Sequence, residues 1–182
     1  MNDRITVFGG SQPKYGDESY NQAEELGRLL GAAGYTILTG GYIGTMEAVS
    51  KGAREAGGYV IGVTCDEIET WRPVRPNRWI SEEYRHATLR GRLSALIDEC
   101  DAAVVLPGGI GTLAELAMMW SQVQVGAINA KPIILVGKAW MDSMLEYFKN
   151  FDGYIAQKDR EVLVFVDSNE EALAAVHEKL QH

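Results

Sequence analysis

Residues that build metal centres and disulfide frameworks are scarce in this sequence. The 182 residues include two cysteines, Cys65 and Cys100, and three histidines, His86, His177 and His182. Neither set has a spacing typical of metal ligands. We therefore expect no metal site and no bound cofactor, and the low cysteine content suits a reducing cytoplasm.

Positive charge and long apolar runs are also in short supply. The chain has 17 Lys and Arg against 25 Asp and Glu, a formal net charge of −8. This balance argues against a nucleic-acid partner, because affinity for a polyanion comes largely from clustered basic side chains. The longest apolar stretches fall far short of the ~20 residues of a membrane span, and the amino terminus lacks the basic-then-apolar run of a signal peptide. We therefore predict a soluble cytoplasmic protein without a membrane partner.

The chain does contain short β-branched runs that alternate with longer stretches of helical periodicity. This pattern is typical of parallel strands joined by crossover helices. We predict strands at residues 4–8, 35–38, 59–63, 102–106, 132–136 and 162–166. We predict helices at residues 19–33, 45–56, 88–100, 112–125 and 140–149, and a last one from a cap at Asp167 or Ser168 to about residue 180.

The expected fold is a three-layer Rossmann-like α/β fold in which a mostly parallel sheet is flanked by helices on both faces. A chain of this length fits a single domain spanning residues 1–182. Residues 66–84 contain Pro73, Pro76 and several arginines, and they interrupt the alternation. We predict a long surface loop there, which acts either as a lid or binding loop or as a purely structural excursion.

Three glycine-bearing segments follow predicted strands, at residues 8–11, 39–45 and 106–112. Ligands of open parallel sheets bind at the carboxyl ends of the strands, where glycine lets a phosphate approach the backbone and a helix amino terminus attracts it. None of the three segments matches the phosphate-loop or the dinucleotide-binding fingerprint. The candidate phosphate-binding residues are Ser11, Gly40, Gly41, Gly44, Thr45, Gly108, Gly109, Gly111 and Thr112.

Glu115, Arg90 and Arg92 are the charged candidates near these segments. Thr112 and Glu115 fit the Thr-x-x-Glu capping box, so Glu115 has either a capping or a chemical role. The two arginines fall on opposite flanks of the predicted helix 88–100, roughly 80° from the centre of its apolar stripe. Such arginines either make surface ion pairs or direct a guanidinium at the ligand.

Taken together, these motifs resemble the LOG-type phosphoribohydrolases, a family also labelled "possible lysine decarboxylase". The family motif Pro-Gly-Gly-x-Gly-Thr-x-x-Glu is matched in full from Pro107 to Glu115, and Arg92 lies fifteen residues before Pro107, where the family has the arginine of Met-His-x-Arg-Lys. Here Arg90 replaces the histidine of that signature and Leu93 replaces its lysine. The resemblance extends over roughly residues 4 to 150.

The resemblance implies hydrolysis of a nucleoside 5′-monophosphate to the free base and ribose 5-phosphate, with Arg92 and Glu115 as the catalytic pair. It also implies a homodimer. Arg90, which departs from the family signature, is a candidate phosphate-binding residue that would restore the positive charge of the missing lysine. Met118, Met119 and Trp120 would suit either a partner face or the core. The alternative is a carrier that binds a nucleotide or a phosphorylated pterin without turnover, because the family also resembles molybdenum-cofactor carrier proteins.

Overall fold

The computed structural model describes residues 2–181, which form seven strands and eight helices. The strands are β1 Arg4–Phe8, β2 Thr36–Thr39, β3 Tyr59–Cys65, β4 Glu82–His86, β5 Ala102–Val105, β6 Ile133–Val136 and β7 Leu163–Val166. The helices are α1 Glu18–Ala32, α2 Thr45–Glu55, α3 Asp66–Trp71, α4 Leu89–Asp98, α5 Ile110–Gln124, α6 Lys138–Asn150, α7 Gln157–Arg160 and α8 Asn169–Leu180.

All seven strands are parallel and pair in the order β4-β3-β2-β1-β5-β6-β7. The chain moves outward from β1 in both directions, so the strand order reverses between β1 and β5. The loops that follow these two strands therefore enclose the crevice where doubly wound sheets bind ligands.

The sheet separates two apolar cores. Strand side chains that alternate along β1, such as Val7 and Phe8, point to opposite faces. One face packs against α1, α2 and α8, and the other packs against α4, α5 and α6. The predicted α/β fold, with helices on both faces of the sheet, is confirmed.

The six predicted strands are all present, and the cap of the last helix is Ser168, whose hydroxyl accepts a hydrogen bond from the backbone N–H of Glu171. The prediction of a continuous loop over residues 66–84 is wrong. This segment contains α3 and leads into the edge strand β4, whose sequence Glu82-Glu83-Tyr84-Arg85-His86 carries no apolar run. Within residues 2–181, no helix is long and apolar enough to cross a membrane.

Candidate functional site

The three glycine turns are hydrogen-bonded to one another at the β1/β5 crevice. The backbone N–H of Gly10 donates to the carbonyl of Pro107 at 3.3 Å. The carbonyl of Gly10 in turn accepts from both the N–H and the hydroxyl of Thr45, at 2.9 and 3.0 Å. The turns after β1, β2 and β5 thus form one surface, and the Thr45 hydroxyl holds two of them together.

The third turn opens directly into the amino terminus of α5. The helix begins at Ile110 with Gly109 as its N-cap, and no side chain caps it. Gly109 and Gly111 are exposed, so a ligand can reach the N–H groups of the first turn, which lack intrahelical partners. A Cβ on Gly108 would overlap the Thr112 side chain, which explains why the turn has glycine at that position.

Of the two roles that the sequence left open for Glu115, the capping box with Thr112 is not formed. Because the helix begins at Ile110, two residues before its predicted start, Thr112 lies inside the first turn rather than at its cap. Thr112 is buried. The carboxyl of Glu115, one turn further, points toward α4 and is free of any capping hydrogen bond to the backbone among residues 2–181.

Glu115 forms a buried ion pair with Arg92 of α4. Arg92 Nη1 and Glu115 Oε1 are 3.4 Å apart, and the two side chains are only 6% and 9% exposed. Arg92 is therefore not the half-exposed flank residue that the helical periodicity predicted. A carboxylate and a guanidinium that share a desolvated site interact more strongly than a surface pair.

The Arg92 guanidinium is held on several sides. Its Nε donates to the carbonyl of Val63 at 2.8 Å, and it lies 5.9 Å from the centre of the Tyr42 ring. A Cβ on Gly40 would overlap Arg92 Nη2 and Met46 Sδ, so the second glycine turn provides the room that the guanidinium occupies. The orientation of Arg92 therefore depends on the turn after β2 as well as on α4.

Burial determines the ionisation of Glu115. It raises the pKa of this carboxyl to about 7 from an ordinary value of 4.5, although the charge of Arg92 and its hydrogen bond act in the opposite direction. A carboxyl with a pKa near neutrality exchanges protons readily at cellular pH, as a general acid or base must.

The buried face of α4 differs from the apolar stripe predicted for the helix at residues 88–100. Arg92, Leu96 and Ile97 are the buried residues of the helix, whereas Leu89 is 44% exposed. Arg90 is also exposed, and no hydrogen bond or ion pair of its side chain is found within residues 2–181. The structure thus brings Arg92 and Glu115 together and leaves Arg90 at the surface of the helix.

The turns after β1 and β2 contact residues 71–80, which belong to the segment for which the sequence left open either a binding loop or a purely structural role. Ser11 Oγ lies 3.4 Å from Arg72 Nη1 at the end of α3. Asn77 is buried, and its backbone N–H and side-chain amide donate to the carbonyls of Gly41 and Tyr42, at 2.8 and 2.9 Å. The only signal in the sequence was the concentration of Trp, Arg and Pro in residues 71–80, which belongs to no motif.

A cavity on the opposite face of the sheet also touches the glycine turns. It is lined by the turn residues Thr45 and Pro107 and by carboxylates of the α8 amino terminus, Asp167 and Glu170. Arg92 and Glu115 do not line it. We place the candidate site on the α4 and α5 side, because the buried acid with a shifted pKa and its charged partner lie there.

Comparison with known proteins identifies relatives along almost the whole chain. A family model described as "Possible lysine decarboxylase" matches residues 46–176, a range that contains Arg92 and Glu115. A Mycobacterium tuberculosis protein named cytokinin riboside 5′-monophosphate phosphoribohydrolase is 31% identical over 180 residues, which cover 94% of this chain and 91% of that protein. A protein from Oryza sativa whose name gives the same activity is 30% identical, and the match covers 96% of this chain and 73% of that protein.

Two solved structures are similar to this chain along almost their whole length. The molybdenum cofactor carrier protein from Chlamydomonas reinhardtii superposes with a TM-score of 0.76 at 22% identity and covers 100% of both chains. The molybdenum cofactor binding protein from Rippkaea orientalis gives a TM-score of 0.74 at 25% identity and covers 98% of this chain and 97% of that one. The first similarity establishes the fold alone.

Proposed function

The chain belongs to the LOG-type family, described as possible lysine decarboxylases, and on that premise we propose that it is a nucleoside 5′-monophosphate phosphoribohydrolase. It would cleave the N-glycosidic bond and release the free base and ribose 5-phosphate. The observation that supports this most strongly is the buried Arg92–Glu115 pair beside an exposed, glycine-rich helix amino terminus. The same activity appears in the names of the two curated relatives described above.

The phosphate group is proposed to bind at the third turn and the start of α5. Gly108, Gly109 and Gly111 carry no side chain, so phosphate oxygens can reach the backbone N–H groups of residues 109–112. The α5 dipole favours negative charge at that point. Thr112 supports the turn through its contact with Gly108. Binding here would fix the ribose close to Arg92 and Glu115.

Glu115 is the proposed catalytic carboxylate. Cleavage of the bond develops positive charge on the ribose, which a carboxylate next to the anomeric carbon stabilises. A water oxygen then bonds to that carbon as the bond to the base breaks. Glu115 takes up one proton of the water, and the base leaves with the electron pair of the broken bond. That proton then passes from Glu115 through solvent to the nitrogen of the base, which restores the carboxylate. A pKa of about 7 suits this proton transfer.

Arg92 is proposed to orient both the carboxylate and the sugar. Its Nε and Nη1 are engaged by the Val63 carbonyl and by Glu115, and Nη2 remains directed at the Gly40 turn. A planar guanidinium held in this way can fix ribose hydroxyls without changing its own position.

The test is incubation of the purified protein with purine, pyrimidine and cytokinin riboside monophosphates, followed by chromatography of the products. We expect stoichiometric release of free base and ribose 5-phosphate from at least one of them. If no base is released from any monophosphate, the hydrolase proposal is refuted.

A carrier function is the second candidate, supported by the similarity to the molybdenum cofactor binding protein from Rippkaea orientalis. It predicts tight binding of a phosphorylated pterin without release of product, which the same incubation and a binding titration distinguish. We do not propose decarboxylation, since that chemistry needs a lysine that holds pyridoxal phosphate. Tyr42, Val63 and Met46 contact Arg92 among the described residues, and none of them is a lysine.

We further propose that the protein forms a homodimer through the outer face of α5. Met118, Met119 and Trp120, considered above as a partner face, pack into the core or against it, and Met119 is fully buried. The outward face of the helix is instead apolar: Ile110 and Leu113 are 83% and 45% exposed, and Ala114 and Ala117 follow them.

Light scattering with size-exclusion chromatography tests the dimer. The Leu113→Asp variant should be monomeric, and Leu145→Asp, at a leucine of α6 that is 54% exposed, should elute as the wild type does. A monomeric wild-type protein would rule the dimer out. We also propose a cytoplasmic location, which fits the two buried, unpaired cysteines and is tested by cell fractionation.

A further inference from the structure

Arg72 differs from the other arginines that are buried or partly buried. Four arginines fall in this class among residues 2–181: Arg4, Arg72, Arg92 and Arg160. Three of them pair with a carboxylate at 2.6 to 3.4 Å. Arg72 has no carboxylate partner within the described residues. In a chain with 25 acidic residues and a net charge of −8, an unpaired cation at this depth needs an explanation.

The hydrogen bonds of Arg72 are also incomplete. Its Nε is buried and has no hydrogen-bond partner among residues 2–181. Its Nη1 lies 3.4 Å from the Ser11 hydroxyl, and the guanidinium carbon lies 5.6 Å from the centre of the Trp71 ring. A guanidinium has five donor hydrogens, and burying the one on Nε without an acceptor is costly. Arg72 therefore has free donors next to the turn that follows β1.

The position of Arg72 is fixed by the backbone around it. Its N–H donates to the carbonyl of Ile68 at the end of α3, at 2.9 Å, and its carbonyl accepts from Val74 at 2.7 Å. Five residues later, Asn77 is attached to the turn after β2 through the carbonyls of Gly41 and Tyr42. The segment is thus bonded to α3 at one end and to the turn after β2 at the other, which holds the guanidinium within reach of Ser11 before any ligand arrives.

We propose that Arg72, assisted by the Ser11 hydroxyl, binds the phosphate of the nucleotide as the charged phosphate ligand of the site; this assignment rests on the proposed function. A phosphomonoester carries nearly two negative charges, whereas the amino terminus of α5 supplies about half a positive charge. Arg92 is already engaged by Glu115 and the Val63 carbonyl. Arg72 supplies the missing charge, and its planar fork matches two phosphate oxygens.

The experiment is calorimetric titration with ribose 5-phosphate and, separately, with adenosine, which has no phosphate. Arg72→Ala should weaken the affinity for ribose 5-phosphate by about tenfold to a hundredfold, the usual effect of losing a charge-assisted hydrogen bond, and leave adenosine binding unchanged. Arg72→Lys should recover part of the loss. Arg75→Ala is the matched control, because Arg75 is exposed on the same segment. Melting curves by circular dichroism check that each variant is folded.

The outcomes separate this proposal from the function on which it rests. Equal affinity of wild type and Arg72→Ala for ribose 5-phosphate overturns the assignment of Arg72. An equal loss of affinity for ribose 5-phosphate and for adenosine would also overturn it, because Arg72 would then have a structural role. A wild-type protein that does not bind ribose 5-phosphate would overturn it as well. A wild-type protein that binds ribose 5-phosphate but releases no base from any monophosphate refutes the hydrolase alone, and the Arg72 comparison then still decides the phosphate site.

Discussion

Replacing Glu115 with glutamine should change how stability depends on pH. Glutamine has nearly the shape of the protonated carboxyl, so Glu115→Gln removes the ionisation and keeps the packing. In the folded protein, burial raises the pKa of Glu115 from 4.5 to about 7. The folded state therefore retains a proton that the unfolded chain releases between pH 4.5 and 7, and the wild type loses stability as the pH rises through this window.

The size of the effect follows from the pKa shift. One pKa unit corresponds to about 1.4 kcal/mol, so the full shift of the carboxyl costs the folded state about 3 kcal/mol once the pH is above its folded pKa. The side chain is 9% exposed, so solvent screens little of this. Between pH 5 and pH 8, the free energy of unfolding of the wild type should fall by about 2 to 3 kcal/mol relative to that of Glu115→Gln.

Urea denaturation of both proteins at pH 5, 6, 7 and 8 measures this difference by linear extrapolation. The effects of glutamine that do not depend on pH, such as the altered bond to Arg92, cancel in the comparison across pH. Glu146→Gln is the control, because Glu146 is an exposed residue of α6 and should follow the wild type at every pH. A constant difference between wild type and Glu115→Gln from pH 5 to pH 8 would refute the raised pKa.

Three further predictions concern the activity. Arg92→Ala should lower kcat/KM for base release by about a hundredfold or more, while Arg28→Ala, at an exposed arginine of α1, leaves it unchanged; steady-state kinetics decide this. Gly40→Ala should displace the Arg92 guanidinium, which the new Cβ would overlap. We expect at least a tenfold loss of kcat and a decrease of about 1–3 kcal/mol in the free energy of unfolding, and wild-type values of both quantities would refute this role of Gly40. The kcat/KM of the wild type should rise with pH through about 7 and then level off, because the carboxylate form of Glu115 is the active one; a profile that is flat from pH 5 to 9 would exclude it as the base.

Much of the fold could be predicted because the inner strands are apolar on both faces. Residues 102–105, for example, are Ala-Ala-Val-Val and entirely buried. The edge strand β4 could not be found in the same way, since its charged side chains face solvent and bond to neighbours. Arg85 pairs with Asp66 and Glu69 of α3, and these contacts exist only after folding.

The candidate site could be predicted only in part, because some of its contacts also exist only after folding. The resemblance to the LOG-type motifs, in which an arginine lies fifteen residues before the motif proline, pointed to the two residues that form the buried pair. The depth of Arg92 could not be deduced from helical periodicity, because it depends on the space above Gly40 and on the carbonyl of Val63, which belong to other elements. The proximity of Arg72 to Ser11 likewise follows from the packing of α3 and carries no sequence signature.

In the proposed mechanism, Glu115, oriented by Arg92, promotes cleavage of the N-glycosidic bond. The most direct measurement compares the rate of base release from a monophosphate substrate for wild type, Glu115→Gln and Glu146→Gln, each shown to be folded and to bind ribose 5-phosphate. We predict that Glu115→Gln loses at least a hundredfold in kcat with its ribose 5-phosphate affinity intact and that Glu146→Gln retains the full rate. A Glu115→Gln variant that releases base at the wild-type rate would contradict the account.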